Sequence, residues 1–158
     1  MAQIQKLEVV HEAKCCPDKL YRMLTRDASQ LSKYIPNLVR ALKLLPQRGR
    51  SLFGHRLCVE IHASGWTNMI SKEKITAVDN KNRSITYTVM EGDFMGDFNS
   101  FNFNLDITPK SGTTDGTSLV KWSVEYEKSN EDVADPVGIL KSIELMTTEM
   151  NLHLLKQA

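Results

Sequence analysis

Two hydrophobic periods divide this chain. Over Phe98 to Thr108, Phe101, Phe103, Leu105 and Ile107 alternate with Ser100, Asn102, Asn104 and Asp106. Over Ser118 to Lys128, Val120, Trp122, Val124 and Tyr126 alternate with Lys121, Ser123, Glu125 and Glu127. Strict alternation means one face buried and one wet, as in an antiparallel sheet. Weaker runs at Leu57 to Ala63, Trp66 to Val78 and Arg83 to Glu91 read as further strands. Turn-forming residues separate them: Ser64-Gly65, Asp79-Asn80-Lys81-Asn82, Glu91-Gly92-Asp93, and Ser111-Gly112 through Asp115-Gly116. The short spacing predicts a meander of hairpins.

The period then changes. From Pro136 onward, Ile139, Leu140, Ile143, Met146, Met150 and Leu154 recur at steps of three and four, which predicts a helix to Lys156. At 1.5 Å per residue such a helix is roughly 30 Å long, enough to cross a small domain. Asp135 is its expected N-cap, with Pro136 at the first helical position. Near the N-terminus, Lys6 to Glu12 reads as a strand and Pro17 to Thr25 as a short helix opened by Pro17-Asp18. Ala28 to Tyr34 reads as a second short helix that stops at Ile35-Pro36. The order is a strand, two short helices, about six strands and one long helix. That is an α+β fold in a single domain over residues 1–158, without repeats or linkers.

Composition narrows the class. A chain of 158 residues buries roughly 70% of its unfolded surface and needs no staples. With 41% hydrophobic and 25% charged residues it is an ordinary globular protein, and a net charge of +1 gives no global pull toward nucleic acid or anionic lipid. No nucleic-acid partner is expected. The opening MAQIQKLEVVHEA lacks the apolar core of a secretory signal, and no window approaches a membrane span. Three cysteines, with Cys15 and Cys16 adjacent, make no disulfide framework. A reduced, cytoplasmic protein, monomeric or weakly dimeric, is expected.

Much chemistry is missing. There is no GxxxxGK[ST] loop, no GxGxxG after a strand, no HExxH, no CxxC and no GxSxG elbow. His11, His55, His62 and His153 share no ligand spacing. No metal and no cofactor are expected. Lys33, Arg40, Lys43, Arg48, Arg50 and Arg56 lie in a stretch from Ala28 to Val59 that has no acidic residue. The run Gln47-Arg48-Gly49-Arg50 is either an anion contact or a solvated loop, and no aromatic platform for stacking bases accompanies it.

The strand and turn Ile85-Thr86-Tyr87-Thr88-Val89-Met90-Glu91-Gly92-Asp93-Phe94-Met95 resembles the Y-x-V-x-E-G-D-x-M signature of the major latex protein family. So do Ser118 to Lys128, continued by Asn130-Glu131-Asp132-Val133, and the ending His153-Leu154-Leu155-Lys156. The matches are collinear over the whole chain, which resembles a plant major-latex-protein-like member of the Bet v 1 and PR-10 superfamily. The resemblance implies the helix-grip fold: a seven-stranded curved antiparallel sheet around a long C-terminal helix, with two short helices at one end. It also implies an internal cavity for small hydrophobic or amphipathic molecules, such as plant metabolites, hormones or lipids, and a link to plant defence. One loop departs from the superfamily. Where glycines are usual, Leu45 to Gly54 retains only Gly49 and Gly54, which weakens any phosphate-loop or ribonuclease reading.

On that frame, the strand residues Met69, Ile85, Tyr87, Val89, Phe101, Phe103, Leu105 and Trp122 are expected to meet Ile139, Ile143, Met146 and Met150 of the long helix across a cavity. The alternative is that these side chains fill a core. An enzyme reading, by analogy with norcoclaurine synthase in the same superfamily, needs an acid or base in an apolar pocket. Alternation sets Met69, Ser71 and Glu73 on one strand face and Asn68, Ile70 and Lys72 on the other. If the first set points inward, Glu73 is a cavity carboxyl and the candidate acid or base, oriented by the Tyr87 hydroxyl. If it points outward, Glu73 pairs with a surface lysine. An apolar patch around Phe94-Met95 is the one candidate partner surface.

Overall fold

Alternation along the chain becomes antiparallel pairing. The computed structural model describes residues 3–36, 38–44, 52–61, 69–93, 95–110 and 116–156. Strand β1 (Ile4–Ala13) leads to helix α1 (Pro17–Leu24), then a 3-10 turn (Ala28–Gln30) that runs into α2 (Leu31–Tyr34). Strands β2 (Val39–Leu44), β3 (Arg56–Ile61), β4 (Met69–Asp79), β5 (Ser84–Gly92), β6 (Phe98–Pro109) and β7 (Ser118–Lys128) follow, and α3 (Val137–Lys156) closes the chain. They form one antiparallel sheet in the order β1-β7-β6-β5-β4-β3-β2, curved around α3. The expected Ala63 and Trp66 ends of two strands, and the turns at Ser64-Gly65 and Ser111 to Asp115, lie outside the described residues.

The pattern of burial follows the pattern of letters. Phe101, Phe103, Leu105 and Ile107 of β6 and Val120, Trp122, Val124 and Tyr126 of β7 all face the concave side and are buried. Aromatic rings run along this floor, with Phe101 centred 5.1 Å from both Phe98 and Phe103. Strand β2 has no clean alternation. Its pairing with β3 slips between Val39 and Ala41, so Val39 is buried, Ala41 is exposed and Leu42 is half-buried. A bulge costs the period one step, which hides the strand in the letters.

Helix α3 lies across the floor. Ile143, Thr147, Met150, Asn151 and Leu154 are buried, whereas Ile139, Leu140 and Met146 are partly buried against the core. The Trp122 indole N–H donates to Thr147 Oγ1 at 2.9 Å, and that hydroxyl donates to the Ile143 carbonyl at 2.9 Å. The helix starts one residue later than the letters suggest, and Asp135 does not cap it with its side chain. The Asp135 carboxylate instead accepts from the Tyr126 hydroxyl at 2.8 Å and pairs with the Lys128 ammonium at 2.9 Å. A full positive charge outcompetes backbone N–H groups for the same oxygen.

The Trp122–Thr147 contact should be measurable. Thr147→Val keeps the shape and leaves the indole N–H unpaired, so it should cost about 1–3 kcal/mol in urea denaturation. Ile143→Asp buries an unpaired charge and should cost about 4 kcal/mol or more. Unchanged unfolding midpoints for both would mean that the sheet does not grip α3.

Candidate functional site

β4 sets the chemistry of the interior. Met69, Ser71, Glu73 and Ile75 point to the concave side and are buried, while Ile70 and Lys72 point out. Glu73 is the one buried acid among the described residues, and the Ser71 hydroxyl donates to its Oε2 at 2.6 Å. Loss of hydration raises the Glu73 pKa from 4.5 to about 7, against the lowering effect of the Ser71 hydrogen bond. Lys72 is turned away and pairs with Glu91 at 3.6 Å.

A bulge keeps Glu73 alone. The alternation of Ile85, Tyr87 and Val89 on β5 would aim Glu91 inward as well. The β4–β5 register slips between Lys72 and Glu73, which pairs Glu73 with Val89 and Lys72 with Glu91, and leaves Met90 and Glu91 exposed. The next residues clasp β4. Asp93 Oδ2 accepts from the Ile70 N–H at 2.9 Å, and the Asp93 N–H donates to the Ile70 carbonyl at 3.1 Å. A Cβ on Gly92 would stand 3.0 Å from that carbonyl, so only glycine fits without a shift.

Tyr87 does not donate to Glu73. Its hydroxyl donates to the Leu24 carbonyl at 3.0 Å, and its one proton cannot serve both acceptors. Burial, followed by the nearby charge of Glu73, holds the Tyr87 pKa well above the ordinary phenol range. Ser71 takes the orienting place.

Two separate spaces are bordered by both sheet and helix. The inner one, about 90 Å³, is lined by Leu24, Ala28 and Leu31 from the short helices, Leu42, Leu57, Val59 and Ile61 from β2 and β3, and Glu73, Tyr87, Phe103, Trp122, Ile143 and Met146. The outer one is a cleft of about 490 Å³ at the start of α3, lined by Met69, Asp97, Phe98, Ile139 and the segment around Asn130 to Gly138. Ile139 and Ile143 are one helical turn apart, and Met69 and Glu73 share a strand face. The two spaces share no lining residue, but they draw on adjacent turns of α3 and on the same face of β4.

The expected ligand set divides accordingly. Tyr87, Phe103, Trp122, Ile143 and Met146 line the inner space, and Met69 and Ile139 line the cleft. Ile85, Val89, Phe101, Leu105 and Met150 are buried but line neither. The short helices, β2 and β3 also line the inner space, and the apolar Leu24, Ala28 and Leu31 are the sequence signal for it. Met95 packs against the core and is not an exposed patch, and Phe94 lies outside the described residues. The Gln47 to Arg50 loop and His62 also lie outside them. Among the described residues, His153 stacks on Tyr34 at 4.1 Å, and no group of three or more His, Cys, Asp or Glu side chains converges on a metal site. No helix among them is long and apolar enough to cross a membrane.

Comparison with known proteins agrees with this architecture. The model of the pathogenesis-related protein Bet v 1 family matches residues 2–157. MLP-like protein 43 of Arabidopsis thaliana is 32% identical over 154 residues, covering 98% of this chain and 95% of that protein. The crystal structure of major latex-like protein 151 from Panax ginseng superposes with a TM-score of 0.85 at 26% identity, covering 95% of this chain and 97% of that one. Norcoclaurine synthase from Thalictrum flavum, solved in complex with dopamine and hydroxybenzaldehyde, shares the fold with a TM-score of 0.72 at 18% identity, covering 96% and 88%.

The buried acid makes stability depend on pH. Below pH 4.5 both folded and unfolded chains hold the Glu73 proton, and the group carries no penalty. As pH rises, the unfolded chain releases the proton first, so stability falls until the folded pKa of about 7 is passed. The full loss is of order 3 kcal/mol. Glu73→Gln should remove that slope, leaving the variant more stable than the parent at pH 8 and no more stable at pH 4. Parallel urea midpoints for the two proteins across this range would place Glu73 in water.

Proposed function

The chain belongs to the Bet v 1 family, and from that premise we propose that it binds and carries small hydrophobic or amphipathic molecules between the sheet and α3. One observation carries the reading: the apolar interior keeps unfilled volume around one carboxyl, Glu73. With a pKa of about 7, that carboxyl is partly protonated at neutral pH and can donate as well as accept. A neutral hydroxyl or carbonyl on an otherwise apolar guest suits it. A cation is not required.

Volume sets how the guest enters. Pockets for drug-sized ligands run to roughly 300–1,000 Å³, a range that the outer cleft reaches and the inner space does not. A guest therefore seats in the cleft and pushes its apolar end past Met69 and Ile139 toward Glu73. Room comes from the partly buried Ile139, Leu140 and Met146, since thioethers re-pack at low cost. The free thiols Cys15, Cys16 and Cys58 suit work in a reducing compartment such as the cytoplasm.

Glu73 also supports a second reading, an enzyme that performs acid–base isomerisation or condensation on the same guest. A carboxyl with a pKa near neutrality is matched to proton transfer. The enzyme reading predicts a substrate whose turnover Glu73→Gln abolishes. Carriage predicts none.

A fluorescent apolar probe should bind at micromolar affinity. Met146→Trp, which fills the inner space, should weaken binding about tenfold or more, and Glu73→Gln should change it by less than about tenfold. Native mass spectrometry of the freshly purified protein should show a retained small molecule. Probe binding that ignores Met146→Trp would place the guest elsewhere and end this reading.

A further inference from the structure

β1 is an edge of the sheet. Among the described residues, none of the backbone groups from Ile4 to Glu12 bonds outside the β1–β7 ladder. Edges of this length are usually blunted by charge, proline or a covering element. Here Ile4 and Val10 are 62% and 58% exposed on the outer face, with Lys6 and Glu8 between them. We propose that this edge pairs with the β1 edge of a second copy of the chain, in one antiparallel register, to form a two-fold dimer.

The letters select the register. A two-fold axis pairs residue i with j and j with i. Inward side chains must stay inward, so the axis passes through a residue and not between two. Centred on Leu7, the pairing sets Ile4 opposite Val10 and Lys6 opposite Glu8, each twice. Centred on Lys6 it sets lysine against lysine. Centred on Glu8 it sets glutamate against glutamate and Ile4 against Glu12. Only the Leu7 register matches apolar with apolar and positive with negative. Opposed pairs of those kinds stabilise a sheet, and like charges destabilise it. The existing Lys6–Glu8 contact within one chain, at 3.9 Å and half-exposed, is too weak to compete.

Seven paired residues alone bury little, and the helix adds to them. Thr148 Oγ1 lies 3.5 Å from His11 Nε2 of β1, so this stripe of α3 borders the same edge. Leu145, Leu152 and Leu155 share the stripe at steps of three, four and three, the spacing of a helix–helix seam, and all three are exposed. Because inward faces stay inward, the two-fold brings both stripes to the same side of the joined sheet. The dimer covers the strand edge and the leucines together.

The test exploits the register. Sedimentation velocity from about 5 to 500 μM should show the full-length chain passing from monomer to dimer. Lys6→Glu and Glu8→Lys each place like charges opposite in the homodimer, and each should weaken it about tenfold or more. An equimolar mixture of these two variants restores both opposite-charge pairs across the axis, so native mass spectrometry should show a heterodimer. Leu152→Glu should weaken the parent dimer independently. Thermal melts establish that each variant is folded. A parent that stays monomeric throughout, as expected if a membrane or another protein covers this face, overturns the proposal. So do single variants that dimerise like the parent, or a mixture that does not associate.

Discussion

The concave face of this sheet is apolar along β5, β6 and β7 and is interrupted on β4 only by Ser71 and Glu73, and α3 is the element that covers it. The grip is uneven along the helix. Thr147, Met150, Asn151 and Leu154, toward the C-terminal end, are buried, and Trp122 hydrogen-bonds to Thr147. Ile139 and Leu140, at the other end, are only partly buried, and Ile139 lines the cleft. Burying a large apolar side chain contributes about 1.5–3 kcal/mol, so the tight half holds most of the helix's share of stability. Tight packing and open volume lie at opposite ends of one element.

Glu73 belongs to the second role. An acid in an apolar interior costs stability at neutral pH, and a leucine there would not. The bulge that turns Glu91 outward removes a second carboxyl from the same neighbourhood, and Ser71 offers the remaining one a single donor. A lone, singly bonded carboxyl is poised between its two protonation states. Such a group can both donate and accept a hydrogen bond.

The residues by which the chain resembles its family do mainly structural work. Glu91 pairs with Lys72 on the outer face, Gly92 permits close approach to the Ile70 carbonyl, and Asp93 clasps the Ile70 backbone. These contacts hold β4 at the strand end where Met69 meets the cleft. The Glu91-Gly92-Asp93 turn shapes the edge of the cleft through the backbone, while Tyr87 and Trp122, from the same matched stretches, line the inner space.

Local pattern was enough to read the sheet and the long helix. Alternation in Phe98 to Thr108 and Ser118 to Lys128, and the change of period after Asp135, follow from which face each side chain must bury. The same rule put Glu73 on one face with Met69 and Ser71 and left open which way that face turns; the folded sheet turns it inward. The rule failed where geometry departs from a strict period: β2, whose bulge shifts the phase, and Glu91, which alternation would have placed beside Glu73. It failed again where partners are distant in the chain. Asp135 prefers Lys128 and Tyr126 to its own helix, Tyr87 spends its proton on Leu24, and α1 and α2 close the inner space. Periodicity reports the face on which a side chain sits. The partner it meets, and the volume left between them, depend on how the whole sheet curves, and only the tertiary structure decides that.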